Sequence, residues 1–283
     1  MKALQGAYRI EDLCEAFEVS RSGYHRWRQA KQSERARKDA ELCEDLKQLH
    51  EQSRRTYGRP RLTHALRQKG KHCSSKRVGR LMKSLGLKGV RRGRYRVQTT
   101  QSDHSCRAAA NRMGEMEAPQ APDQIWVADI TYVATEEGWL YVAAVLDRFS
   151  RRVLGLAMSA RLDSELTQAA LLQALCRRRK AKTKAVLHHS DRGLQYANER
   201  YQTLLRENKL EASMSRKANC YDNAHMESFW GTLKAELLKG RRYASRAEAR
   251  LSIFEYVEVF YNRERLHSAL GYQSPVDFET QLN

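Results

Sequence analysis

The run at residues 125–133, Ile-Trp-Val-Ala-Asp-Ile-Thr-Tyr-Val, has no glycine or proline inside it and places one carboxylate, Asp129, in its middle. β-branched and aromatic residues at that density predict a strand. A carboxylate in such a strand is costly unless it is paired or holds a metal. Residues 139–147 and 153–158 read as two further strands, the first reached through a Glu136-Glu137-Gly138 turn, so an antiparallel meander is expected. A helix is predicted over 164–180, a short strand over 185–188, a helix over 198–207 and a brief strand at 212–214. Helices over 223–238 and 247–262 complete the pattern. The order β-β-β-α-β-α-β-α predicts a mixed α/β sheet with helices packed on it.

Before residue 91 the grammar is helical. Ile10, Leu13 and Phe17 share one helical face, and Ser20 offers an N-cap to a second short helix presenting Arg21, His25, Arg26 and Arg28. Tyr24 and Trp27 are its expected packing anchors. The pair is either a helix-turn-helix or a plain helical hairpin. A longer amphipathic helix follows over 34–52. Leu62, Ala65 and Leu66 mark the next helix, Lys69-Gly70-Lys71 breaks it, and Ser74-Ser75 caps another. That last helix has Val78, Leu81, Met82 and Leu85 inside and Lys76, Arg77, Arg80 and Lys83 outside. It is the recognition helix of a second helix-turn-helix candidate. The basic run Arg91-Arg92-Gly93-Arg94-Tyr95-Arg96 then opens a polar linker suited to tracking a phosphate backbone. The expected organisation is a helical DNA-binding region over 1–90, a linker over 91–122 and a catalytic core over 123–283.

Charge supports the division. The net charge is +19, and residues 51–100 alone contribute +15, with Glu51 their single acid. A solvated basic face is the bland explanation, but such a density repels itself without a polyanion, which points to nucleic acid. The six cysteines are scattered without a C-x-x-C pair, against a zinc ribbon or disulfide framework. No run approaches the roughly 18 apolar residues of a membrane span. A soluble, cytoplasmic protein is expected, with nucleic acid as its partner.

Two more acids join Asp129. Asp191 directly follows the predicted strand over 185–188, at a carboxyl end where α/β sheets gather their sites. Glu227 lies on a helix whose apolar face is Met226, Phe229, Leu233 and Leu237, with Asn223, Glu227 and Lys234 on a stripe beside it. There are 61 residues between the first two acids and 35 between the last two, and spacing alone is weak evidence among 33 acids. Their contexts say more. Hard oxygen ligands suit Mg²⁺ or Mn²⁺, and two such ions serve phosphodiester chemistry.

These acids and their surroundings resemble the DDE catalytic core of RNase H-like transposases and retroviral integrases. More narrowly, the chain resembles OrfB-type transposases of the insertion-sequence-three group. The resembling stretches are Trp126-Val127-Ala128-Asp129-Ile130-Thr131-Tyr132, Gly138-Trp139-Leu140-Tyr141, and Leu146-Asp147-Arg148-Phe149-Ser150-Arg151-Arg152. Further ones are His189-Ser190-Asp191-Arg192-Gly193-Leu194-Gln195-Tyr196, Ser213-Met214-Ser215-Arg216-Lys217, Asp222-Asn223-Ala224 with Glu227-Ser228-Phe229, and Tyr261-Asn262-Arg263 with His267-Ser268-Ala269-Leu270-Gly271-Tyr272. The resemblance spans essentially the whole chain. It implies an RNase H-like fold in which Asp129, Asp191 and Glu227 hold two metal ions and Lys234 contacts DNA. Asn223 and His189 are DNA or supporting contacts, with a packed histidine as the alternative for His189. Asp147 and Asp222 are read as structural. The resemblance further implies a bacterial, nucleoid-associated protein acting on double-stranded DNA, with strand cleavage and transfer at element ends, a copy-out route through a circular intermediate, a synaptic homo-oligomer, and fusion to or association with an upstream-frame product. Two alternatives stay open: a non-catalytic DNA-binding regulator of the element, and an RNase H-type nuclease.

Overall fold

The computed structural model describes residue 4 and residues 6–29, 33–91, 109–114, 116–178, 185–216 and 223–282. They form two compact units, 1–88 and 89–283, each taken by itself.

The first unit has five helices: α1 (Ile10–Ala16), α2 (Arg21–Gln29), α3 (Glu34–Gln52), α4 (Arg59–Gln68) and α5 (Ser75–Ser84). Side-chain caps start three of them. The expected Ser20 accepts from Gly23 N at the head of α2. Ser33 accepts from Ala36 N and Ser74 from Arg77 N, each satisfying one of the amides a helix start leaves unpaired. Gly70, at φ 75°, turns the chain between α4 and α5 at the predicted break. Leu42, Leu46 and Leu49 from α3 are buried, as are Leu62, Ala65 and Leu66 from α4 and Val78, Leu81 and Met82 from α5.

The first two helices depart from expectation. Leu13, Cys14 and Tyr24 are buried, whereas Phe17 and Trp27 are exposed. Phe17 falls at the C-cap of α1, where the chain has left the helical phase that would aim it inward.

The second unit is a five-stranded sheet of order β3-β2-β1-β4-β5, built from β1 (Ile125–Thr135), β2 (Gly138–Asp147), β3 (Val153–Ser159), β4 (Val186–Ser190) and β5 (Leu210–Met214). The first three pair antiparallel, and β4 and β5 run parallel to β1. Both parallel strands are reached by helical crossovers: α6 (Ser164–Arg177) before β4, then α7 (Leu194–Ala197) and α8 (Glu199–Glu207) before β5. Trp126, Ala128, Ala143 and Val145 pack with Leu166, Ala170, Leu171 and Ala174 of α6. Gly155 permits this closeness, because a Cβ there would lie 1.9 Å from the Ala170 carbonyl oxygen.

The long predicted helices have a finer structure. Helix α9 (Ala224–Leu233) widens into a π-helical turn, Lys234–Leu238, and α10 (Arg246–Glu255) widens likewise over Tyr256–Tyr261. A short helix α11 (Pro275–Thr280) closes the chain. Asp147 is structural, as expected: its carboxylate accepts from the amides of Asp123, Phe149 and Ser150 and from the Ser150 hydroxyl. Burial pushes it up to about 6 even against those donors. No described helix is long and apolar enough to cross a membrane.

Candidate active site

Strand register brings the first two acids together. Parallel pairing sets Trp126 opposite His188 and Val127 opposite His189. Two residues further along come Asp129, still mid-strand in β1, and Asp191, just past the end of β4, on strands that are neighbours in the sheet. Asp191 sits just past β4, where its Oδ1 accepts from Gly193 N at 2.9 Å. Asp129 remains in β1, pairing with Ala144 across the antiparallel side.

Helix α9 is tied to the same strand. Asn223 Nδ2 donates to the Ala128 carbonyl at 3.2 Å, and Trp230 Nε1 donates to Asp129 Oδ2 at 3.1 Å. Glu227 lies between these anchors, four residues after one and three before the other, so the anchored side of the helix carries it toward β1. The predicted inner face is confirmed: Met226, Phe229, Leu233 and Leu237 are buried. Lys234 Nζ stands 6.0 Å from the centre of the Tyr132 ring, further along β1.

Electrostatics shows that the acids feel one another. Desolvation, followed by the charge of Asp191, raises the Asp129 carboxyl to about 8; the Ile130 amide and the Trp230 indole oppose this, and Glu227 adds to it. Partial burial also raises Glu227. Such a group of carboxylates is poorly matched to its own charge and well matched to a hard divalent cation. Among the described residues, no three Asp, Glu, His or Cys side chains stand close enough as placed to hold an ion.

Two expected DNA contacts are interior. His189 is fully buried, its Nδ1 2.9 Å from Ser213 Oγ and its Nε2 3.0 Å from Ser215 Oγ. It ties the end of β4 to β5 beneath Asp191 and offers no surface to DNA. It is packed within the fold, because β5 sets Ser213 directly across from it and Ser215 just beyond, so that both ring nitrogens are engaged. Asn223 is likewise buried against β1. Its Oδ1 has no hydrogen-bond partner among the described residues.

In the helical unit, Lys76, Arg80 and Lys83 lie exposed on α5 and Arg77 is half-buried. Asp39 of α3 accepts from Arg77 Nε and Arg80 Nη2, both at 2.7 Å, and the two arginines hold its carboxyl below the ordinary range. Arg77 and Arg80 are thus already oriented by an acid. Arg35 and Lys38 of α3 join Lys76, Arg77 and Arg80 around one cleft that also includes Glu34 and Ser74. The sequence reading missed these two, although each lies within four residues of Asp39 on α3. Arg91 is exposed, and Arg92 and Arg94 lie outside the described residues, as does Asp222. Part of the expected linker is anchored: Arg112 donates through its amide to Ser213 Oγ at 3.0 Å and pairs with Glu211 on β5.

Family models described as an integrase core domain match residues 119–220 and 208–275, and one described as an HTH-like domain matches residues 36–95. The last covers α3, α4 and α5 and leaves out α1 and α2. The chain is 46% identical over 271 residues to the insertion element IS600 uncharacterized 31 kDa protein of Shigella sonnei, covering 96% of this chain and 98% of the relative. It is 40% identical over 238 residues to the transposase for insertion sequence element IS904 of Lactococcus lactis, covering 84% of this chain and 93% of the relative. It is 36% identical over 279 residues to transposase InsF for insertion sequence IS3A of Escherichia coli, covering 98% of this chain and 96% of the relative.

Proposed function

This chain belongs to the integrase-core transposases of insertion sequences, and from that membership we propose that Asp129, Asp191 and Glu227 are the acids with which it cuts and joins DNA. Its activity is that of a polynucleotidyl transferase. The observation that carries the residue assignment is the strand register: it sets Asp129 beside Asp191, while two hydrogen bonds pin the Glu227 helix to the same strand.

The donor set is all carboxylate, which fits two Mg²⁺ or Mn²⁺ ions held by the three acids. Bound there, the ions would supply Lewis-acid activation of the attacking oxygen and stabilisation of the leaving one. The chain's own groups then have separate tasks. Asp129, within β1, and Asp191, just past the end of β4, fix the position of the reacting phosphodiester. Trp230 holds Asp129 Oδ2 and so orients its carboxylate. Lys234, two turns beyond Glu227, takes a DNA phosphate. Cleavage by water leaves a 3′-hydroxyl at the element end, and that hydroxyl attacks a second phosphodiester in line. Arg35, Lys38, Lys76, Arg77, Arg80 and Lys83 hold duplex DNA, with Arg91, Arg92 and Arg94 following the backbone. The protein acts in the bacterial cytoplasm at the nucleoid, as a homo-oligomer on paired ends and joined to an upstream-frame product. The test is cleavage and strand transfer on terminal inverted-repeat DNA with Mg²⁺ against a chelator control. Activity that persists in the chelator would overturn the metal assignment.

Proton and metal compete for Asp129. A carboxyl at about 8 must lose its proton before it can ligate. Mn²⁺ affinity of the DNA-free chain is expected to rise roughly tenfold per pH unit below about 8 and to level off above it, read by calorimetric titration. The sign for stability is opposite. The folded chain binds more protons than the unfolded one between the ordinary carboxylate pKa and about 8. Metal-free stability therefore falls as pH climbs through that window; Asp129→Asn removes most of the fall between about 6 and about 8 and leaves the part that Asp147 contributes up to about 6. An Asp129→Asn variant that keeps the wild-type dependence of melting on pH would contradict this.

Trp230→Phe keeps an aromatic ring and removes the N–H. The expected outcome is metal affinity weakened about tenfold, as for other residues that orient a ligand from behind, with melting little changed. Unaltered Mn²⁺ binding in that variant would show the hydrogen bond to be incidental.

A further inference from the structure

Past the acids, the β1–β2 hairpin carries two aromatic rings that the chemistry above does not use. Tyr132 and Trp139 are 45% and 50% exposed. The register sets Tyr132 opposite Tyr141 and Ala134 opposite Trp139, so the two rings are diagonal neighbours on one face of the sheet. Their centroids are 4.9 Å apart at an interplanar angle of 82°. This edge-to-face pair, with Lys234 Nζ over the Tyr132 ring, fixes both side chains while leaving indole surface open.

Cations surround the pair. Arg246 Nε donates to the Trp139 carbonyl at 3.0 Å. The Tyr243 carbonyl accepts from Glu136 N at 3.0 Å, which draws the exposed Arg241 and Arg242 alongside the hairpin tip. Glu136 and Glu137 are the acids at that tip, and Glu137 Oε2 accepts from Arg246 N at 2.9 Å. Lys234 and Arg246 thus contact the aromatic hairpin directly, with Arg241 and Arg242 exposed on the segment bonded to its tip and Glu136, Glu137 and Glu248 as the acids of the same region. A second copy of this chain, itself strongly basic, would be repelled there. A DNA strand supplies what the patch lacks: phosphates for the cations and a flat π-face for the indole.

We propose that Trp139, braced by Tyr132, is a stacking subsite for one unpaired base next to the phosphodiester on which the acids act. Its location points to that base. Tyr132 lies three residues beyond Asp129 on β1 and so leaves the opposite face of the strand; the link to the site is Lys234, which follows the helix carrying Glu227 and brings its Nζ to 6.0 Å from the centre of the Tyr132 ring. A base still stacked in a duplex has both faces covered, so only an extruded or terminal base can use the indole. The inference rests on the transposase reading and names a further contact of the same site.

The test uses the full chain, terminal-repeat duplex and Ca²⁺, with 5-iodouracil placed in turn at each position flanking the cleaved bond. Irradiation is expected to join one position to Trp139 or Tyr132, identified by mass spectrometry. With Mg²⁺, Trp139→Ala is expected to slow cleavage of a fully paired end by about ten- to a hundredfold. Trp139→Phe should keep most of the rate, and a mismatch at the unpaired position should recover part of the loss in Trp139→Ala. Crosslinks only elsewhere, wild-type cleavage by Trp139→Ala, or equal loss in Trp139→Ala and Trp139→Phe on both substrates would each overturn the proposal. The crosslink does not need cleavage. A chain that crosslinks through Trp139 yet never cleaves, alone or joined to its upstream-frame product, would sink the assignment of the acids and leave the subsite standing.

Discussion

Asp191→Asn is expected to lower strand cleavage and strand transfer by at least about a thousandfold, which corresponds to roughly 4 kcal/mol of transition-state stabilisation. The substitution is nearly isosteric. The new amide oxygen can still accept from Gly193 N, as Asp191 Oδ1 does at 2.9 Å, so the turn that presents the side chain survives. What is lost is a negative charge beside Asp129. That charge is one cause of the raised Asp129 pKa, so the Asp191→Asn variant should also show Asp129 titrating lower than about 8. Binding to terminal-repeat duplex, measured by mobility shift, should stay near wild type if the basic helices hold the DNA. Robust Mg²⁺-dependent cleavage by the Asp191→Asn variant would remove Asp191 from the catalytic set. Loss of binding together with cleavage would show that the acid acts on folding.

Arg265→Met is expected to cost about 3–5 kcal/mol of folding stability, with a melting temperature lower by roughly 10 °C. Arg265 and Glu236 are 4% and 6% exposed and form a two-pronged pair, Nε to Oε2 at 2.8 Å and Nη2 to Oε1 at 2.6 Å. Tyr256 donates its hydroxyl to Glu236 Oε2 at 2.8 Å. Burial alone would push the guanidinium down; the hydrogen bond and charge of Glu236 outweigh it and hold Arg265 above its ordinary value. Removing the cation leaves a buried carboxylate with one phenol donor. Replacing both partners, Glu236→Leu with Arg265→Met, should recover more than half of the loss, because the unpaired charge goes too. Glu236 lies in the π-helical turn that follows α9, so the pair also steadies the helix carrying Glu227. Chemical denaturation of the single and double variants decides the matter: a single-variant loss under about 1 kcal/mol would contradict the pairing.

Much of the architecture was legible because it is written in short-range patterns. The Ile-Trp-Val-Ala-Asp run became β1, and the apolar face of Met226, Phe229, Leu233 and Leu237 became the buried side of α9 and its widened last turn. Asp191 could be placed at a strand end from the strand and glycine that flank it. Where short-range pattern misled, the cause was equally local: Phe17 keeps helical spacing with Ile10 and Leu13 but falls just after α1 has ended.

The partners of the site residues were not legible in this way. His189 looked like a DNA contact until β5 set Ser213 and Ser215 on its two ring nitrogens. Arg77 and Arg80 looked like unengaged cations until α3 brought Asp39 between them. Trp230 is buried against the fold, yet its indole N–H reaches Asp129. Spacing along the chain could nominate three acids and a basic module, since period, charge and turn chemistry are properties of neighbouring residues. Which acid stands beside which, and what holds each in place, depended on strand register and helix docking between segments far apart in the chain. Those pairings are chosen by the free energy of the whole packed unit, and no local period encodes them.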